Sequence, residues 1–213
     1  MKGKNKKNCI EIKEMKHPAS VSYFIKMLEP LLAEDDISIN ITAKHVLPAA
    51  CVPICGIIDT LKEQGKSINC YYPESAYIAN IHFDKPYKVS EHQDSLAYPF
   101  SKIWKFNDFS EVTDLVNAYA DEIAAFISGS EGLIEGIEWS LNEAMDNVLQ
   151  HSDSGVGYIM GVLHKTTNYI MFSLFDNGQG IFNSLRDSES PTIEMIINRS
   201  VSQRMSVLYP QNR

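Results

Sequence analysis

The chain has 213 residues, 44% of them apolar, which is enough for one large packed core or two small ones. A formal net charge of −8 and a pI near 5.2 exclude the broad basic face that nucleic-acid binding requires, and the one basic cluster, Lys2, Lys4, Lys6 and Lys7, reads as a solvated tail. No stretch reaches the roughly 18 to 20 apolar residues of a membrane span, and the lysine-rich start runs into Glu11, Lys13, Glu14 and Lys16 rather than a signal-peptide core, so a cytoplasmic protein is expected.

In chain order, residues 8–12 form a short β-type run. Residues 18–33 place Val21, Phe24, Ile25, Leu28, Leu31 and Leu32 at helical spacing. Ile37 to Ile41 alternates as a half-buried strand does. Residues 47–64 are again helical, with Pro48 in the first turn, a kink expected at Pro53 and Gly65 as the stop. Ser67 to Tyr72 is a third strand. This β-α-β-α-β order predicts a small, mainly parallel sheet. Pro73 to Phe106, with Pro73, Pro86 and Pro99, reads as an irregular, partly packed connector, and a domain boundary is placed near Ser95. Residues 8–95 are expected to fold as a unit of their own.

Ser110 reads as the N-cap of a helix that carries Val112, Leu115, Val116, Tyr119, Ile123 and Phe126 on one face and stops at Gly129. A second helix spans about Glu131 to His151. Residues 155–164 and 168–175 are β-type runs joined by Lys165-Thr166-Thr167, a hairpin that delivers Asp176 to its end. A capped helix is expected over residues 190–200. The four cysteines lie in apolar surroundings and read as core residues of a reducing compartment; Cys51, Cys55 and His45 are a metal set that this reading outweighs.

Two motifs carry chemistry. Glu143, Asn147 and His151 follow one another at i, i+4 and i+8, which aligns them along one stripe of a helix. There an Asn carbonyl can hold magnesium, which takes oxygen ligands and keeps several waters, while a Glu orients a hydrolytic water. His151, at the helix end, fits a capping role against the negative dipole. Asp176-Asn177-Gly178-Gln179-Gly180 follows 29 positions after Asn147. Asp176 offers a carboxylate to an exocyclic amino group, and Gly178 and Gly180 let the backbone approach a flat base. Read alone, the polar residues of this helix would be an ordinary solvated face. The second motif in this order shifts the balance to a nucleotide site.

These residues resemble the GHKL (Bergerat-fold) ATPase superfamily of gyrase, large heat-shock chaperones, sensor histidine kinases, mismatch-repair ATPases and anti-sigma serine kinases, from about Asp108 onward. The resemblance implies Glu143 as catalytic base, Asn147 as magnesium and nucleotide ligand, and Asp176, Gly178 and Gly180 as nucleotide-binding residues, with ATP and Mg as cofactors. That family also has a downstream glycine-rich lid around the triphosphate, whereas no glycine follows Gly180 here. A histidine-kinase-like domain that is C-terminally incomplete, and turns over poorly if at all, is therefore expected. No histidine outside the motif has a phosphoacceptor context.

The N-terminal part resembles the STAS (anti-sigma-factor antagonist) module, over about residues 8–95. Where such antagonists carry a phosphorylatable serine, this chain reads Thr42-Ala43-Lys44-His45; Thr42 could accept phosphate, but a strand-end role weighs more. The expected fold is thus of α/β (α+β) class: residues 1–95 as a STAS-like interaction domain and 96–213 as an incomplete ATPase domain. The expected function is that of an ATP/Mg-binding regulatory domain in bacterial signal transduction. Its expected partners are ATP or ADP, a regulatory protein and a second copy in a homodimer, with no nucleic acid and no membrane. The alternative is a non-catalytic protein-interaction module with a degenerate nucleotide site.

Overall fold

The computed structural model describes residues 8–73, 77–127, 131–151, 155–167 and 169–178. The fold is of mixed α/β class, with a parallel three-stranded sheet and a mixed four-stranded sheet. The first sheet has the order β1-β2-β3, from β1 (Cys9–Ile12), β2 (Asp36–Ile41) and β3 (Ser67–Tyr71), in register Cys9 to Ser38 and Asp36 to Ser67. Its alternation sends Ile10, Ile12, Ile37, Ile39, Ile41 and Ile68 inward. Cys9, Glu11 and Asn69 are exposed on the opposite face, and Ser38 and Asn40 are half-buried there. Parallel sheets are ordinarily covered on both faces, so this polar face is a departure from the rule.

The crossovers are α1 (Pro18–Leu28) and α2 (Pro48–Glu63). Proline at the first position suits both helices, since its missing N–H has no intrahelical partner there anyway. The helix continues through Pro53. It ends where the Lys66 N–H reaches the Leu61 carbonyl at 3.0 Å and Gly65 takes φ of 90°, a left-handed turn that glycine adopts without strain. Thr42 is exposed, and its N–H donates to the Ile12 carbonyl at 2.9 Å, the strand-end role.

The expected connector holds more than a loop. Within it lie α3 (Tyr77–Asn80), β4 (Tyr87–Lys88) and β5 (Trp104–Phe106), and both strands belong to the second sheet, of order β4-β5-β6-β7. β5 is buried at all three positions. Next come α4 (Phe109–Phe126), α5 (Glu131–His151), β6 (Gly157–His164) and β7 (Tyr169–Asp176). β4 runs parallel to β5, and β5, β6 and β7 are successively antiparallel. The N-cap of α4 is Asp108, not Ser110: Asp108 Oδ1 accepts the Glu111 N–H at 2.9 Å, and the Ser110 hydroxyl donates to that same oxygen at 2.7 Å. The expected stop at Gly129 and the helix over 190–200 lie outside the described residues.

The layers run parallel sheet, α1 and α2, mixed sheet, α4 and α5. β6 is buried on both faces because Tyr158, Met160 and Val162 join the core around α2, while Ile159 joins Trp104, Phe106, Leu115, Tyr119 and Met145 under α4 and α5. The core built around the first sheet thus extends across the boundary expected near Ser95. Gly56 permits the close approach of α2 to the second sheet, since a Cβ there would lie 2.6 Å from the Phe175 ring.

A partly buried ion network pins the same interface. Lys105, on β5 between Trp104 and Phe106, points the other way and places Nζ 2.8 Å from Asp59 Oδ2 and in contact with Glu63, both on α2. The Tyr158 hydroxyl donates to Asp59 Oδ2 at 2.9 Å. Burial would pull the Lys105 ammonium down, but its hydrogen bonds to Asp59 and Glu63 outweigh that and hold its pKa above the ordinary lysine value.

Candidate functional site

α5 buries Leu141, Met145 and Val148 against α4 and the second sheet, which leaves the opposite side of the helix outward. At 100° per residue, Gly136, Ser140, Glu143 and Asn147 fall within about 60° of one another on that helix. All four are exposed. Gly132, Gly136 and Ser140 face Ile170 and Phe172 of β7 across an apolar groove of about 400 Å³. The stripe carrying Glu143 and Asn147 therefore looks out over the side of the sheet that β7 closes. β7 is the edge strand, with no partner on its outer side among the described residues.

Asp176 ends β7 and is paired with Gly157, the first residue of β6. The N-terminal half of α5 lies beside Ile170 and Phe172, and α5 ends at His151, six positions before Gly157 opens β6. Asn147, one turn before the helix end, is thus ten positions from Gly157, the strand partner of Asp176. Asp176 Oδ1 accepts the Gly178 N–H at 2.9 Å, an Asx-type turn that fixes the carboxylate and leaves Oδ2 for another donor. The second glycine of the motif, Gly180, lies outside the described residues, as does the side chain of His151.

The donor set suits a cation that brings its own water. Among the described residues no group of three or more His, Cys, Asp or Glu could hold a metal. Magnesium needs no such cage: one or two protein oxygens with phosphate and water suffice, and the Asn147 amide oxygen is a donor of that kind. The sulfur and imidazole set is different. Cys51 and Cys55 are fully buried while His45 is exposed, and Cys51 Sγ lies 3.7 Å from Met160 Sδ. Burial pushes the Cys51 thiol up to about 12, so it is an inert core group rather than a thiolate ligand.

A second concavity was not foreseen from the sequence. It runs along α4 between the turn at Leu96–Tyr98 and the β6–β7 turn at Lys165, with a volume of about 640 Å³. Its lining comes from three separated segments, and no local spacing announces it. Among the described residues no helix is long and apolar enough to cross a membrane. Comparison with protein families, with curated proteins and with solved structures found no match for this chain.

Proposed function

We propose that the end of the second sheet marked by Asn147 and Asp176 is a nucleotide site for ATP or ADP with magnesium, in a regulatory protein of the histidine-kinase or anti-sigma-kinase type. The observation that carries this reading is the exposure of Glu143 and Asn147 on one stripe of α5, together with the Asx-turned Asp176 at the end of β7. Asp176 Oδ2 would accept a hydrogen bond from the exocyclic amino group of adenine, and the turn through Gly178 lets the base lie against the backbone. The Asn147 amide oxygen would hold magnesium, whose chemistry is to neutralise phosphate charge. Glu143 would orient water.

Calorimetry with ADP and magnesium tests the assignment. We expect weak binding, with a dissociation constant of roughly 10 μM to 1 mM, or about 4 to 7 kcal/mol. Asp176→Ala should remove it while leaving the far-ultraviolet spectrum unchanged. Equal affinity in the two proteins would sink the site. Phosphoryl transfer depends on preorganised charge stabilisation around the γ-phosphate, and residues 181–213 contain no glycine to provide it, so a phosphate-release rate near background is expected for these 213 residues. A fast rate abolished by Glu143→Ala would show that other groups complete the site. The glycine-free composition of residues 181–213 is also what favours the second reading, a module that acts through protein contact with a degenerate nucleotide site.

A further inference from the structure

We propose that the groove along α4 is a docking site for a basic amphipathic helix of a partner protein. This surface is separate from the nucleotide site and does not depend on it. Leu96, Ala118, Ala125 and Phe126 give the groove an apolar floor, and the small alanines leave room for inserted side chains. Tyr98 stands at its rim, 73% exposed. From Asp114 to Phe126 the helix extends about 18 Å, the length of three turns of a docked helix.

Charge selects the occupant. Asp114, Asp121 and Glu122 line the groove at i, i+7 and i+8, and none has a cation in ion-pair range among the described residues. Asp114 accepts a neutral hydrogen bond from Gln93 Nε2 at 3.3 Å. Among the described residues Glu122 Oε2 is a buried carboxylate oxygen with no hydrogen-bond partner, an arrangement that costs free energy until a donor arrives. Lys102, which feels the Glu122 charge, is directed to the Tyr98 carbonyl, and burial holds its pKa below the ordinary lysine value. Lys165 sits at the far end, 5.9 Å above the Phe126 ring. The groove is thus acidic over its first two turns and apolar beneath. The chain's net charge of −8 favours cationic partners in general over nucleic acid and anionic lipid.

The test uses the full chain and a fluorescein-labelled 14-residue helix with leucines on one face and lysines beside them, read by anisotropy at 150 mM salt. Binding in the micromolar range is expected. Asp114→Lys with Asp121→Lys should weaken it at least tenfold and create binding of a charge-reversed peptide with glutamates in place of the lysines. The control is Glu29→Lys with Asp35→Lys, which makes the same change in net charge on exposed residues outside the groove. It should leave affinity within about twofold. Circular dichroism verifies that both variants fold. No binding to wild type, equal loss in the two variants, or no loss in the groove variant would each overturn the proposal.

Discussion

The glycine at position 157 lies where a methyl group would sit 2.1 Å from the Phe106 ring, and that ring is fully buried. Gly157→Ala should therefore overpack the second sheet and cost about 2 to 3 kcal/mol. Gly132 on α5 has open space around its Cβ position, so Gly132→Ala should instead stabilise the chain by up to about 1 kcal/mol. Urea unfolding midpoints, at constant slope, check both signs. The thiols give a second prediction at this scale. Burial pushes Cys51 and Cys70 up to about 12, whereas an unfolded cysteine titrates near 8.5. Between those values the folded chain holds protons that the unfolded chain has lost, so the stability these groups contribute is fully present below about pH 8.5 and is lost as pH rises toward 12. Lys105, raised by its carboxylate partners, and Tyr158, raised by burial and then by Asp59, act in the same direction at higher pH. Unfolding midpoints should fall steeply from pH 9 to 11, and Cys51→Ala should flatten that slope. A midpoint independent of pH over this range would show that the thiols are not sequestered.

Among the elements, α4 allows its two capping candidates to be separated. Asp108 receives the Glu111 N–H directly, whereas Ser110 only supports Asp108. Asp108→Ala should cost about 1 kcal/mol and Ser110→Ala clearly less, measured by thermal or urea unfolding. The reverse order would place the cap where the sequence suggested it. That displacement by two residues shows how local patterning is read. Helix existence follows from Val112, Leu115, Val116, Tyr119 and Ile123, which any register of caps would leave in place. The same logic made β1, β2, β3, α1, α2, α5, β6 and β7 legible, because each carries its own apolar period. β4 and β5 have two and three residues, too few for a period, and β5 gains its strand from pairing with residues 157–159 of β6. Its buried Lys105 reads as surface until Asp59 and Glu63 are seen opposite it. At the site, the α5 stripe and Asp176 were legible from spacing, while the α4 groove was not, since only folding brings residues 96–98, 114–126 and 165 together.

For the whole molecule, the decisive feature is α2, which packs against β6 and β7 as well as the sheet it belongs to. A fragment ending at Ser95 would lose Tyr158, Met160, Val162 and Phe175 from that core and leave Asp59 without Lys105. Such a fragment should unfold without a cooperative transition and bind a hydrophobic dye. A sharp urea transition in it would instead support the independence expected for residues 8–95. The same feature sets an order in time. Cys51 and Met160 touch although 109 positions separate them. At roughly 5 to 20 residues per second, a ribosome needs on the order of 5 to 20 s to synthesise the missing half after α2 has emerged. During that interval a nascent chain presents an apolar helix face that β6 and β7 have yet to cover, so the first half of this protein is expected to be prone to aggregation until the second half exists.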